Sequence, residues 1–174
     1  MLFRSNIGMG SGITSHVLLA SESLETLTTV EIEPAMVELA RGFRPRNGRV
    51  FSDPRSRIVT ADARAFLAAA AEPFDLVVTQ PFNPWVSGAG SLYSTEFYDV
   101  VRAHLHPDGL FVQWIPIAEA DPPLVASILR SILTHFPELR LYAGTSSDVI
   151  VVASPSGPLP DLEAGADRKS TRLN

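Results

Sequence analysis

No cysteine occurs among the 174 residues, so disulfide staples and thiolate chemistry are both excluded and the redox compartment is left open. Long apolar runs are missing too. The longest, such as Ala65 to Ala71 and Val149 to Ala153, fall far short of the roughly 20 residues that a membrane-spanning helix needs. Met1-Leu2-Phe3-Arg4-Ser5-Asn6 holds no apolar segment of the kind a secretory leader requires. Positive charge is in short supply, with 14 Lys and Arg against 19 Asp and Glu. The net charge of −5 argues against non-specific binding to nucleic acid. The four histidines, His16, His104, His106 and His135, show no metal-ligand spacing, so no metal is expected. There is no arrangement suggesting a Ser-His-Asp triad, and no internal repeat.

What is present begins with Ile7-Gly8-Met9-Gly10-Ser11-Gly12-Ile13-Thr14, a glycine-rich turn that opens a helix. Further on, the apolar run Thr29-Val30-Glu31-Ile32-Glu33 places an acid, Glu31, nineteen residues beyond Gly12. Together they read as the first βαβ unit of a nucleotide-binding α/β domain. Glycines allow close backbone approach to a ligand, the helix start offers free N–H groups, and an acid on the second strand suits the two hydroxyls of a ribose. A dinucleotide fingerprint would need glycine at position 13, where Ile13 stands; this points to an S-adenosylmethionine-type ligand without a pyrophosphate. A glycine turn that merely packs a helix on a strand is the plainer reading of the loop alone, and Glu31 favours the ligand.

Strand and helix patterns then alternate. Helices are expected over Ile13–Ser21, Ala35–Gly42, Ala63–Ala71, Tyr93–Leu105 and Pro122–Phe136. Strands are expected to end at Ile32, to span Arg57–Thr60, Phe74–Thr79 and Leu110–Trp114, and to close with the pair Leu139–Tyr142 and Asp148–Ala153. Phe43–Pro54 reads as a Pro- and Gly-marked loop and His106–Gly109 as a helix stop. Phe3–Asn6 looks too polar for a buried first strand. The expected fold class is α/β and Rossmann-like, with a mainly parallel sheet and helices on both faces. In such a sheet ligands bind beyond the carboxyl ends of the strands, so Gly8–Gly12, Glu31, Asp62 and Gln80–Trp85 converge on one crevice. Asp62 suits an adenine amino group, and equally the cap of the helix that follows it.

Gly8-Met9-Gly10-Ser11-Gly12, Val30-Glu31-Ile32-Glu33, Asp62-Ala63-Arg64, Asn83-Pro84-Trp85-Val86-Ser87-Gly88 and Leu105-His106-Pro107-Asp108-Gly109 occur in this order. They resemble the catalytic domain of the spermidine synthase (polyamine aminopropyltransferase) family, and most of all the spermidine-synthase-like domains fused to bacterial membrane transporters. The resemblance runs from about Ile7 to Ala153 and leaves out the family's small N-terminal β-domain. It implies a class I S-adenosylmethionine-dependent transferase fold binding decarboxylated S-adenosylmethionine or S-adenosylmethionine. Gly8, Gly10, Ser11, Gly12, Glu31, Asp62 and Ala63 would hold the cofactor, with Glu31 on the ribose and Asp62 on the adenine. Gln80 and Asn83 stand at the catalytic positions, and Trp85, Tyr93 and Gln113 are the candidates for binding the acceptor.

Two departures go with it. Ser11 stands where the family has an aspartate for the aminopropyl ammonium, and Gln80-Pro81-Phe82-Asn83-Pro84 replaces D-x-x-D-P. An amide is no general base and offers no negative charge to a polycation. Three readings therefore stay open: aminopropyl transfer to a polyamine-type amine, methylation of an amine or small molecule at Asn83-Pro84, and a non-catalytic nucleoside-binding regulatory domain of a transporter. The expected partner is a small-molecule amine, with a homodimer and a membrane-domain fusion as further expectations. The expected location is cytoplasmic, or the cytoplasmic face of the membrane if fused.

Residues 1–154 are expected to form the transferase domain, truncated at its N-terminus, followed by a linker or disordered tail over 155–166. The end, Asp167-Arg168-Lys169-Ser170-Thr171-Arg172-Leu173-Asn174, resembles translated sequencing adapter; leaving it out takes the net charge from −5 to −7.

Overall fold

The computed structural model describes residues 3–86, 88–118, 120–145 and 147–159. Seven strands form a single sheet in the order β3-β2-β1-β4-β5-β7-β6. They are β1 (Phe3–Ile7), β2 (Thr26–Glu31), β3 (Ser56–Thr60), β4 (Phe74–Thr79), β5 (Leu105–Pro116), β6 (Glu138–Thr145) and β7 (Asp148–Ser154). β1 to β5 are mutually parallel, and β7 runs antiparallel between β5 and β6. Six α-helices accompany them: α1 (Ile13–Leu18), α2 (Pro34–Ala40), α3 (Arg49–Ser52), α4 (Ala63–Ala68), α5 (Thr95–Ala103) and α6 (Pro122–His135).

Both faces of the sheet are covered, as expected for parallel strands. Leu27 of β2 packs with Met9, Leu19, Ala40 and Val50 beneath α1, α2 and α3. Val30, three residues on and so on the opposite face, joins Leu67, Phe97, Val101 and Ile132 of α4, α5 and α6. Phe111 stacks on Phe136 at 5.4 Å between centroids and meets Tyr98 edge-on at 5.8 Å. Four of these helices, α2, α4, α5 and α6, start on side-chain caps. Glu33 accepts from Ala35 N–H, Asp62 from Ala65 N–H, Ser94 from Phe97 N–H and Asp121 from Leu124 N–H.

Four expectations need correcting. Phe3–Ile7 is a strand, and a central one, paired with both β2 and β4. Its buried polar residues are only partly used: Asn6 Nδ2 donates to Gly8 O at 3.0 Å and to Ser15 Oγ at 2.9 Å, whereas Ser5 Oγ and Asn6 Oδ1 find no partner among the described residues. Ser15 in turn meets Thr29 Oγ1 at 2.8 Å. The stretch 43–54 is not all loop, since α3 lies within it. The stop at His106–Gly109 falls inside β5, which starts at Leu105 and shifts register against β4 between Phe74 and Leu76. Finally, residues 155–159 do not begin a free linker: Leu159 is buried and Ser156 Oγ donates to Pro107 O at 2.6 Å. The rest of that linker and the adapter-like tail lie outside the described residues.

Candidate functional site

The carboxyl ends of β1 to β4 open into a cavity of about 460 Å³. Gly8, Gly10 and Ser11 of the glycine loop line it, together with Glu31, Asp62, Ala63 and Gln80. The glycine loop needs its glycines for conformation: Gly8, Gly10 and Gly12 all have positive φ, at 90°, 48° and 77°. No atom stands within 4 Å of where a Cβ would sit on Gly8 or Gly10, so the backbone there faces open space. At Gly12 a Cβ would sit 3.3 Å from Asn47 Nδ2, and Gly12 does not line the cavity.

Glu31 is the hinge of this site. It is buried, with Oε2 accepting from Met9 N–H at 2.8 Å and Oε1 from Glu33 N–H at 3.0 Å. Each oxygen keeps a further lone pair for a ligand. Asp62 caps α4 through Oδ1, at 2.9 Å from Ala65 N, which leaves Oδ2 for other partners. The cap and ligand readings are therefore compatible. Ile32, Met36, Val86 and Leu92 add apolar walls suited to a flat heterocycle.

Beside it lies a smaller cavity of about 350 Å³, lined by Gln80, Pro81, Phe82, Asn83 and Trp114. Gln80 borders both cavities and is tethered, its Oε1 accepting from Thr14 Oγ1 at 3.0 Å. None of the five lining residues is charged, so the contacts this cavity offers are amide, carbonyl and aromatic.

The three residues expected to bind the acceptor are placed elsewhere. Trp85 is half exposed and lines neither cavity. Tyr93 is not at a helix start but ends a 3-10 turn, Ala89–Tyr93. It is buried, and its hydroxyl donates to Pro81 O at 3.2 Å and Phe82 O at 3.0 Å. Burial pushes its phenol well above the ordinary tyrosine range, so Tyr93 is a neutral brace for the loop and no base. Gln113 is fully buried, accepting from Tyr98 Oη at 2.9 Å; its neighbour Trp114 is the residue that reaches the cavity. Alternation along β5 separates the two.

Sequence reasoning missed Asn47. Fully buried, its Nδ2 donates to Ser11 O at 2.7 Å and to Ala40 O at 2.6 Å, joining the glycine loop to the end of α2. Asn-Gly reads locally as a turn, and nothing in it signals a contact 36 residues away. Asp75, by contrast, behaves as its strand-start position suggests, accepting from Phe3 N–H at 2.6 Å. Among the described residues no group of three or more His, Cys, Asp or Glu side chains is placed to hold a metal, and no helix is long and apolar enough to cross a membrane.

A parallel sheet with a glycine loop after β1, a buried acid at the end of β2 and a capping aspartate after β3 defines the S-adenosylmethionine-dependent transferase fold. Solved structures agree. A spermidine synthase in complex with the transition-state analogue AdoDATO superposes with a TM-score of 0.81 at 25% identity, over 89% of this chain and 55% of that one. Human methyltransferase-like protein 13 in complex with SAH does so at 0.77 and 20% identity, over 97% of this chain and 79% of that one, a likeness of fold alone. The spermine/spermidine synthase domain pattern matches residues 6–145. Polyamine aminopropyltransferase 1 of Streptomyces coelicolor is 39% identical over 95% of this chain and 33% of its own length. The Mycobacterium tuberculosis polyamine aminopropyltransferase is 38% identical over 61% of the chain and 21% of its own. The chain belongs to the spermidine synthase family, and it spans about a third or less of these two curated relatives.

Proposed function

We propose that this domain transfers an aminopropyl group from decarboxylated S-adenosylmethionine to the nitrogen of a polyamine-type amine. The observation that carries the reading is that the family match, residues 6–145, includes every residue lining both cavities. The larger cavity fits the nucleoside: Glu31 offers two anchored carboxylate oxygens to a ribose diol, Asp62 keeps one oxygen for an adenine amino group, and the open faces of Gly8 and Gly10 admit close approach. When bound, the cofactor supplies an electrophilic carbon beside a sulfonium.

The protein's own residues then hold and orient. Gln80, pinned by Thr14, and Asn83 aim the acceptor nitrogen from the adjoining cavity, while Phe82 and Trp114 shield it. Neither amide accepts a proton, so the acceptor must arrive as the free amine and the acceleration comes mainly from positioning. The lengths of the Streptomyces and Mycobacterium relatives are in keeping with a domain carried by a larger protein. A fused membrane region, a cytoplasmic-face location and a homodimer belong to this proposal.

The test is product analysis with decarboxylated cofactor and a panel of diamines and polyamines. Release of methylthioadenosine with a matching aminopropylated amine supports the proposal. S-adenosylhomocysteine from intact cofactor, with no methylthioadenosine from the decarboxylated form, would transfer the case to methylation.

A further inference from the structure

Residues 41–57 hold six arginines against a single carboxylate, Asp53, in a chain whose net charge is −5. That carboxylate is taken: Arg55 Nη2 lies 2.7 Å from Asp53 Oδ2. Arg41 pairs with Glu38 at 3.0 Å. Arg44, Arg46 and Arg49 are exposed and have no carboxylate within ion-pair distance among the described residues. The cluster is also rigid. The guanidinium carbons of Arg41 and Arg44 each stand 4.7 Å from the centre of the Phe51 ring, Arg49 Nη1 lies 3.1 Å from His16 Nε2, and buried Asn47 fastens the segment to Ser11 O and Ala40 O.

Large apolar side chains accompany these charges. Phe43, between Arg41 and Arg44 in sequence, is 51% exposed; Leu39 at the end of α2 is 66% exposed, and Val17, beside His16, 61%. A soluble polyanion would use the arginines and leave Phe43, Leu39 and Val17 in water. A surface with anionic headgroups over a hydrocarbon layer uses both. Arginine also suits phosphate, with a flat fork that donates two hydrogen bonds at once.

We infer that the segment from Arg41 to Arg49, with Leu39 and Val17 beside it, docks this domain on an anionic phospholipid bilayer. The inference is independent of the reaction proposed above, because none of these residues lines either cavity.

The test is co-sedimentation of the full chain with phosphatidylcholine vesicles, with and without about one third phosphatidylglycerol. The expected result is binding to the anionic vesicles only, lost when salt is raised from about 0.1 M to about 0.5 M. Arg44→Glu with Arg46→Glu should weaken it at least about tenfold. Phe43→Ser should weaken it by about two- to fivefold. Arg46→Glu alone is the control for folding, since that side chain makes no hydrogen bond or ion pair among the described residues. Equal binding to neutral vesicles overturns the inference. So does binding that survives the arginine variants, which would place the contact on the basic tail instead. Binding to heparin or duplex RNA with none to vesicles overturns it as well.

Discussion

Glu31 Oε2 accepts the main-chain N–H of Met9 at 2.8 Å, so the acid that ends β2 and the glycine loop that follows β1 form one rigid unit. Glu31→Ala removes this bond together with the one from Glu33 N–H. Hydrogen bonds to a charged group contribute about 1.5–3 kcal/mol each. Losing the ribose contact should therefore weaken methylthioadenosine binding by about ten- to a hundredfold, read by calorimetry. Unchanged affinity would show that the acid only braces the loop.

Asn83 faces the smaller cavity without a carboxylate beside it. If proton removal from the acceptor limits turnover, Asn83→Asp supplies the missing base. Methylthioadenosine release should then rise by up to about a hundredfold near neutral pH, the usual scale of a positioned base. The gain should disappear at acidic pH as the new carboxylate protonates. No rise at any pH would show that positioning alone sets the rate.

Asn47 joins two backbone carbonyls that no other side chain serves, Ser11 O and Ala40 O. Asn47→Ala leaves both short of that donor, Ala40 O in a buried place and Ser11 O in a part-buried one, at a cost of about 1–3 kcal/mol. The denaturation midpoint should fall, and nucleoside affinity with it, because Ser11 lines the cavity. A variant as stable as the parent would mean that water replaces the amide without loss.

Asp53 gives the acid limb of stability. The Arg55 guanidinium hydrogen-bonded to it, helped by Arg55 N–H, holds its carboxyl at about 2, below its ordinary 3.8. A depressed carboxyl stabilises the fold above its unfolded value and loses that contribution as pH falls through the folded one. The parent should melt above Asp53→Asn at pH 7, with the gap closing between about pH 4 and pH 2. A gap that persists at pH 2 would assign the effect to packing.

The readable and unreadable parts of this chain differ by range. Phe74–Thr79 is a short apolar run and Pro122–His135 carries apolar residues at helical spacing, and both elements appear where those local signals put them. Glu31 and Asp62 were legible because parallel topology sends every strand's carboxyl end to one edge. β1 was not, since Asn6 and Ser15 satisfy each other only once the helix lies across the strand. The bracing of Tyr93 is not legible in the sequence, because its partners are the main-chain carbonyls of Pro81 and Phe82, which carry no side-chain signature. At the end of β5 the sequence offers Gln113 and Trp114 alike, and only the pleat of the folded strand buries the first and turns the second to the cavity.

In the proposed reaction the glycine loop and Glu31 hold decarboxylated S-adenosylmethionine for transfer. The most direct measurement is a calorimetric titration of the protein with that compound and, separately, with intact S-adenosylmethionine. Tighter binding of the decarboxylated form is expected, with methylthioadenosine appearing once an amine is added. Tighter binding of the intact form, or of neither by a folded sample, would contradict the proposal.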